Sequence, residues 1–546
     1  MQNDIILKFV LQNALKYGKA DAKAVMGKVL SEVSPTDKRA LLKEIARVVR
    51  EVHTWSAEKR LTILQALAPE LLKKKEIAQQ DLKELRGASP GHVRTRLAPE
   101  PSKYLHIGHA LVFAINYLYA EKYGGSCILR LEDTNPEKVT QEYVDAMLDD
   151  LQWLGLVCAE TVVCSDRLDL YYKYAEQLIA DGKAYTCLCP RETLKTLRAK
   201  KKRCACAAKG TSAVKKEWIG MLQGSFKPGE RNLRLVGDMR SDNGVLRDPV
   251  IFRISDRTHY KQKNKYCVWP MYDLTNAVED SVERITHIIR SKEFELRLPL
   301  HNLIKDYLRL EKHHVIEIGR FNVIGATTQG REIRALIEQK KVSGWDDPRL
   351  VTLRALRRRG FVAATFLMLA RQIGLSKSPT NIDWQLLAAF NRKVLDPTTK
   401  RYFFVEHPRN ITISGAPSFK VSVPFHPDKK KLGARNFATR GEFYIADSLQ
   451  TNKFYRLMHL FNFKNRTFIS KELDQQLDAQ LIHWLPVTND LVNVEVLMPD
   501  GTTTKGLAEP AVRDLRTGEI VQFPRFGFCR FDHVTNETYA FWYAHR

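Results

Sequence analysis

Residues 94–135 read RTRLAPEPSKYLHIGHALVFAINYLYAEKYGGSCILRLEDTN, and this stretch decides the fold. A short extended run carrying Arg96 meets a proline-rich turn. The turn delivers His106-Ile107-Gly108-His109 into an amphipathic helix. Gly124-Gly125 stops that helix, and a second apolar run ends in Leu131-Glu132-Asp133-Thr134. The pattern predicts a βαβ unit whose polar residues gather where strands end and helices begin, the place where open α/β sheets bind ligands. A helix N-terminus offers unpaired N–H groups and a positive dipole end, so it favours phosphate. Two histidines there can donate hydrogen bonds to a phosphoryl group, and Gly108 leaves room for a nucleotide to lie against the backbone.

The chain has 546 residues, enough for several domains, and an ordinary apolar content of 44%. Its 87 Lys and Arg against 62 Asp and Glu leave a net charge of +25. That excess points to a polyanion, with nucleic acid ahead of a membrane surface. Nine cysteines in a chain of this length do not make a disulfide framework. The best apolar run, 361–370, is cut by Arg371 and is too short to span a membrane. The N-terminus lacks the basic-then-apolar order of a signal peptide, so the cytoplasm is expected.

Outward from the central stretch, residues 3–86 carry helical periodicity. Gly18 reads as a helix stop, 31–37 as a turn and helix start, Leu61 to Leu72 as a helix and Lys73-Lys74-Lys75 as a solvated face. Gly87 to Gly91 marks a first domain boundary. Val139 to Leu154 reads as a helix with acids on its outer face. Cys187-Leu188-Cys189 and Cys204-Ala205-Cys206 flank a short helical stretch. Four such thiolates can close a tetrahedral zinc site, with the basic run 200–203 offsetting their charge; incidental surface cysteines are the bland alternative. Residues 218–262 read as a β-rich insertion with a basic face, through Arg253, Arg257, His259, Lys261, Lys263 and Lys265. Residues 266–274 and 285–293 restore buried strands that empty into polar turns, the second half of a split sheet. Arg354 to Arg359 is a strongly basic helix, and beyond Tyr402 short alternating strands form an all-β region.

Arg96, Glu132, Tyr272 and Arg290 fall at strand ends. Guanidinium clamps carboxylate in a bidentate way, and a carboxylate accepts an ammonium. Beside the phosphate-binding helix start, the set suits an acidic amino acid and a nucleotide; ordinary ion pairing of the two arginines is the alternative.

Several blocks in order then resemble a known family. They are Pro99-Glu100-Pro101-Ser102 with His106-Ile107-Gly108-His109, Leu131 to Pro136, Thr286 to Arg290, Gly344 to Leu350, Leu11-Gln12-Asn13-Ala14 and Gln522 to Arg530. Together they are similar to the class I aminoacyl-tRNA synthetases, in particular the glutamyl-tRNA synthetases of archaeal and eukaryotic type. The resemblance implies a multi-domain α/β protein: a helical domain at 1–88, a split Rossmann-like parallel-sheet core at 89–183 and 265–342, an acceptor-end insertion with a cysteine knuckle at 184–264, a helical stem at 343–400 and an all-β, barrel-type anticodon region at 401–546. It implies ATP-dependent ligation of glutamate to tRNA(Glu) through glutamyl-adenylate, with Mg2+ accompanying ATP and a structural Zn2+ on Cys187, Cys189, Cys204 and Cys206. Glu100, Ser102, His106, Gly108, His109, Ser291, Glu293 and Arg331 would hold ATP; Arg96, Glu132, Tyr272 and Arg290 would hold glutamate. It further implies a cytoplasmic monomer, with no membrane partner and with N-terminal helices free to dock a protein.

Arg290 favours glutamate, because relatives that use glutamine carry a neutral residue there. Charging of tRNA(Gln), by a glutaminyl or non-discriminating enzyme, is one alternative; a degenerate paralogue that binds RNA without charging it is the other. Two departures keep that second alternative open. The family's lysine-bearing second loop is here Ala326-Thr327-Thr328-Gln329-Gly330-Arg331-Glu332, in which Arg331 is the only cation and the expected catalytic one alongside His106 and His109. Lys103 stands where relatives usually have glycine.

Overall fold

The structure is a computed structural model, and it describes residues 2–17, 20–30, 32, 37–71 and 81–546. The expectations for Gly18, for 31 and 33–36, and for Lys73 to Lys75 lie outside the described residues. The chain divides into two compact units, Met1–Gln79 and Gln80–Arg546.

In the first unit four helices form: α1 (Gln2–Tyr17), α2 (Ala22–Leu30), α3 (Lys38–His53) and α4 (Ala57–Leu67). Ile6, Phe9 and Val10 of α1, Ile45, Val49 and Val52 of α3, and Leu64 of α4 meet in one core, each set at helical spacing. Ser56 starts α4 by accepting the Lys59 N–H, a cap that contributes about 1 kcal/mol. The helix ends earlier than its periodicity predicts, with a single 3₁₀ turn at Pro69–Leu71. Residues 81–86 are not helical. They belong to the second unit, where Leu82 and Leu85 are buried and the Tyr123 hydroxyl accepts the Leu85 N–H at 2.8 Å. The compact units divide at Gln79/Gln80, and the Leu82 carbonyl and Leu85 N–H bond Lys122 and Tyr123 at the end of the central helix.

The second unit opens with the βαβ stretch. β1 (Arg94–Leu97) pairs in parallel with β2 (Ser126–Leu131), which pairs in parallel with β3 (Thr161–Val163). Between them run α5 (Ile107–Lys122) and α6 (Gln141–Trp153). Gly124 adopts φ +59°, and a Cβ on Gly125 would lie 1.9 Å from the Val93 carbonyl oxygen. Only this glycine pair lets α5 turn back into β2. Asp150 of α6 is buried, contrary to the expected acidic outer face, and burial raises its carboxyl to about 7.

α7 (Leu168–Ala180) leads to an antiparallel sheet, β4 (Ala184–Cys187), β5 (Asn232–Leu235), β6 (Val250–Ile254) and β7 (Val268–Pro270), with α8 (Arg191–Ala199) and α9 (Thr211–Leu222) between its first two strands. The insertion is thus partly helical at 218–222. Three of its basic residues are engaged by the first half-sheet and its loops. His259 is buried against the Asp133 carbonyl at 2.8 Å, Lys261 pairs with Asp166, and Arg253 donates to Asn135 at 2.6 Å.

After α10 (Tyr272–Val282), β8 (His287–Ser291) pairs in parallel with β9 (His314–Ile318), with α11 (Leu298–Leu308) between. The two half-sheets meet at β1 and β8. Thr286 N–H donates to the Arg94 carbonyl at 2.9 Å, and Asn116 of α5 donates to the Ile289 carbonyl at 3.0 Å. The strand sequence across the joint is β3-β2-β1-β8-β9, which reverses direction at β1/β8. Such a switch point leaves a crevice at the strand ends.

β10 (Phe321–Val323), α12 (Gly330–Glu338), α13 (Leu353–Arg359), α14 (Ala363–Ile373), β11 (Thr380–Ile382) and α15 (Trp384–Leu395) connect the core to the C-terminal strands. The basic helix α13 is an internal staple. Arg358 pairs with Asp346 at 2.6 Å and Asp532 at 2.7 Å, and buried Arg359 donates to the Ala544 carbonyl. Beyond it lie two β modules with separate cores. The wall between them follows the strand period of two: Phe403 and Val405 face one core, Tyr402 and Phe404 the other. No helix among the described residues is long and apolar enough to cross a membrane.

Candidate active site

A cleft of about 760 Å³ opens at the β1/β8 joint. It is lined by Arg96, Glu100, Ser102, His106, Gly108, His109, Glu132, Tyr272, Arg290, Ser291 and Glu293. The structure therefore gathers every expected nucleotide and amino-acid residue except Arg331. Arg331 is exposed near the start of α12 and does not line the cleft. Thr328 and Gln329 of the same loop reach it, but the helix carries the next residues away.

One wall is the start of α5. The His106 Nδ1 accepts the Gly108 N–H at 3.1 Å, and the His109 Nδ1 accepts the His106 N–H at 3.2 Å. The two rings thus form a reciprocal cap of the kind Ser and Glu more commonly provide. With both Nδ1 atoms accepting, each proton sits on Nε2, so each ring keeps one donor. Burial, with Lys103 and Arg320 nearby, pushes His106 down to about 3. Burial likewise holds His109 well below the usual histidine range. Both stay neutral donors at any physiological pH. Gly108 has a reason beyond nucleotide room: a Cβ there would lie 2.9 Å from the His106 ring.

The other wall holds two guanidiniums and a carboxylate. Arg96 is buried, with Nε donating to Asp280 at 3.0 Å, which leaves its terminal nitrogens available. Arg290 is buried too; its Nη1 meets the His301 Nδ1 at 3.4 Å, and its Nε has no hydrogen-bond partner. His301 is oriented in turn by Asp273 at 3.0 Å. Glu132 accepts from the Asn276 amide, and the Arg130 Nη1 lies 3.6 Å away. Burial raises the Glu132 carboxyl to about 7 against the pull of Arg130 and Arg96. Tyr272 begins α10 rather than ending a strand, and burial keeps its phenol protonated.

Residues 92–397 match the family described as tRNA synthetases class I (E and Q), catalytic domain. The chain belongs to that family. Residues 399–482 and 481–532 of this synthetase match the family's anti-codon binding domains, which take in most of the two C-terminal β modules. A glutamate–tRNA ligase of Pyrococcus abyssi is 37% identical over 570 residues, covering 99% of both chains. One of Methanocaldococcus jannaschii is 36% identical over 555 residues, again covering 99% of both. A solved glutamate tRNA ligase from Elizabethkingia meningosepticum overlaps 56% of this chain and 70% of its own, at 19% identity and a TM-score of 0.42.

The synthetase carries a second cluster away from the cleft. Cys187 and Cys204 have sulfurs 3.7 Å apart, as do Cys189 and Cys206, and all four lie within 4.8 Å of one another. A tetrahedral centre with Zn–S bonds of about 2.3 Å sets sulfur–sulfur edges at about 3.8 Å, so the cluster fits zinc. The charge offset comes from a different residue than the basic run. Arg234 of β5 points Nη1 at Cys204 (3.6 Å) and Cys187 (3.8 Å), whereas Lys201 pairs with Asp242 and Arg203 with Asp248.

Sequence reading passed over Arg130, Asp280, Asn276, His301 and Arg320. Their spacing carries no local signal, since their partners lie far along the chain. The one available clue was Lys103, an unexpected cation in a turn of the first motif.

Proposed function

We propose that this synthetase ligates L-glutamate to tRNA(Glu) in two steps. A carboxylate oxygen of glutamate attacks the α-phosphorus of ATP, and pyrophosphate leaves with the electron pair of the broken P–O bond. The terminal ribose hydroxyl of the tRNA then attacks the activated carbonyl, releasing AMP. The observation that carries this reading is a pair of buried guanidiniums, Arg96 and Arg290, lining the same cleft as Glu132. A dicarboxylic amino acid supplies a carboxylate for a guanidinium and an ammonium for Glu132. The full-length similarity to glutamate–tRNA ligases supports the same substrate.

In this reading the chain positions and stabilises and forms no covalent bond. His106 and His109 donate Nε2–H to phosphate oxygens at the helix start. Glu132, held by the Asn276 amide, receives the ammonium. Arg290 and Arg96 hold the carboxylates, with Tyr272 beside them; Glu100, Ser102, Gly108, Ser291 and Glu293 frame ATP. Magnesium, as the counter-ion of ATP, supplies charge neutralisation at the phosphates, and Glu100 and Glu293 are the carboxylates on that wall. Zinc held by Cys187, Cys189, Cys204 and Cys206 would cross-link the insertion. That insertion meets the acceptor end, the C-terminal β modules meet the anticodon, and the N-terminal helices offer a surface to a protein partner.

The test is ATP–pyrophosphate exchange with glutamate, with and without tRNA, followed by charging of purified glutamate and glutamine tRNAs. Glutamate-dependent exchange and charging of the glutamate tRNA are expected. No exchange and no charging under any tRNA would sink the proposal, and charging of both tRNAs would widen its tRNA range.

Two further outcomes follow. Glutamate affinity should fall as pH drops from about 8 to about 6. The Glu132 carboxyl, raised to about 7, takes up a proton there and ceases to accept the ammonium, with a limiting slope of about tenfold per pH unit. Glu132→Gln should bind glutamate weakly with a flat pH profile; a profile like that of the wild type would remove Glu132 from the ammonium site. Metal analysis should find about one zinc per chain, lost in Cys187→Ser. A metal-free wild type that remains folded would refute the zinc assignment.

A further inference from the structure

The two departures noted in the sequence lie against each other in the fold. Lys103 sits in the turn three residues before the His106 cap, and Gly330 begins α12. A Cβ on Gly330 would fall 3.0 Å from the Lys103 Cδ and 3.2 Å from its Cβ. The bare backbone of Gly330 is therefore the seat for the Lys103 stem. The loop itself offers no cation to the cleft. Its Thr327 hydroxyl bonds Glu332 and accepts the Gln329 N–H at 3.2 Å, and Arg331 stands outside.

Lys103 lines the cleft half-buried, and its ammonium has no hydrogen bond or ion pair among the described residues. Its neighbour on that wall, Arg320, is engaged by Glu293 at 3.0 Å. The field of Lys103 reaches His106 and His109 and helps keep both rings neutral. Burial acts against the lysine's own charge, with Glu100 and Glu293 giving partial support. A half-buried cation without a partner is held at a cost that a polyanion would remove.

We infer that Lys103 is the cation that meets the β- and γ-phosphates of ATP and the leaving pyrophosphate, in place of the lysine missing from loop 326–332. The inference rests on the glutamate-and-ATP reading of the cleft. As the α-phosphorus is attacked, the electron pair of the breaking P–O bond passes to pyrophosphate. A fixed ammonium opposite that oxygen stabilises the charge where it develops. Lys103 stands in the turn that leads into the histidine cap, against the start of α12. Its position is thus fixed by the same backbone that places the phosphate donors.

Steady-state ATP–pyrophosphate exchange tests this on the full chain. Lys103→Met should lower the exchange kcat by about 10²-fold or more, while the glutamate KM and tRNA affinity measured by filter binding stay near wild type. Lys103→Arg should recover most of the rate, which a merely structural stem would also allow only if Lys103→Met had lost thermal stability; the melting curve of Lys103→Met is expected to match wild type. Gly330→Ala, which crowds the stem, should slow exchange in the wild-type background and add nothing in the Lys103→Met background. Arg331→Ala should have a far smaller effect than Lys103→Met. Wild-type exchange with a Lys103→Met variant equally fast, or an Arg331→Ala loss as large as that of Lys103→Met, overturns the inference. A wild type inactive in exchange and charging refutes the glutamate-and-ATP reading itself.

Discussion

Arg290→Leu raises the glutamate KM by about 10²–10³-fold while the ATP KM stays near its wild-type value. The direction follows from the geometry. Arg290 is buried, its Nε has no partner, and its other contacts are long: 3.4 Å to His301, 3.3 Å to the Phe294 carbonyl and 3.4 Å to Glu317. Protein groups therefore hold the Nη atoms of Arg290 only at long range, and the side chain lines the cleft where a ligand carboxylate can outcompete them. Leucine keeps bulk but leaves a substrate carboxylate desolvated with one guanidinium fewer, which costs about 2–5 kcal/mol. The ATP wall is built from a different element, the start of α5, so its donors are untouched. Steady-state kinetics with each substrate varied separately decide the matter. A glutamate KM that does not move, or an ATP KM that moves as much, would show that Arg290 serves another purpose. His301→Ala should produce a milder version of the same split, since it loosens Arg290 through the Asp273–His301 chain without removing the charge.

Arg130→Met should be the most destabilising single change in the catalytic core. Its side chain is wholly buried and donates to Asp280 at 2.7 Å and bidentately to Glu283, with Glu132 at 3.6 Å. Burial works against the guanidinium, and Asp280 and Glu283 override it. Removing the cation strands the buried Glu283 carboxylate and leaves Asp280 with Arg96 alone, a loss of about 3–5 kcal/mol. Denaturant unfolding of the full chain measures it, and a second substitution separates charge from packing. Glu283→Gln in the Arg130→Met background should recover part of the loss, because the stranded charge is gone. A loss under about 1 kcal/mol, or no recovery from the second change, would mean that water or a neighbour compensates the network.

Much of the site was legible from residue type at the right kind of position. His106, Gly108 and His109 announce a helix start, and the period of their neighbours places it. Arg96, Glu132 and Arg290 were found because polar side chains at the ends of buried runs have few structural reasons to be there. Arg331 stands outside the cleft because α12 begins at Gly330, a start that the composition of its loop does not announce. The basic stretches at 253–265 and 354–359 read as charged faces by composition, yet Lys261, Arg358 and Arg359 are satisfied internally. Residues 81–86 keep helical spacing, but they are irregular chain tied by backbone hydrogen bonds to Tyr123 and Lys122 at the end of α5.

Local chemistry in the sequence determined the βαβ unit, the glycine stop at 124–125, the histidine pair, the four cysteines and the all-β character of the last third, because each depends on neighbours within a few residues. Tertiary structure alone decided who pairs with whom. Arg96 finds Asp280 at a separation of 184 residues, Arg130 finds Glu283 at 153, and Asn116 finds the Ile289 carbonyl at 173. Lys103 meets Gly330 only when the second half-sheet closes on the first. Pairing at such distances depends on how buried faces stack, and a buried charge takes whichever partner that stacking brings within reach.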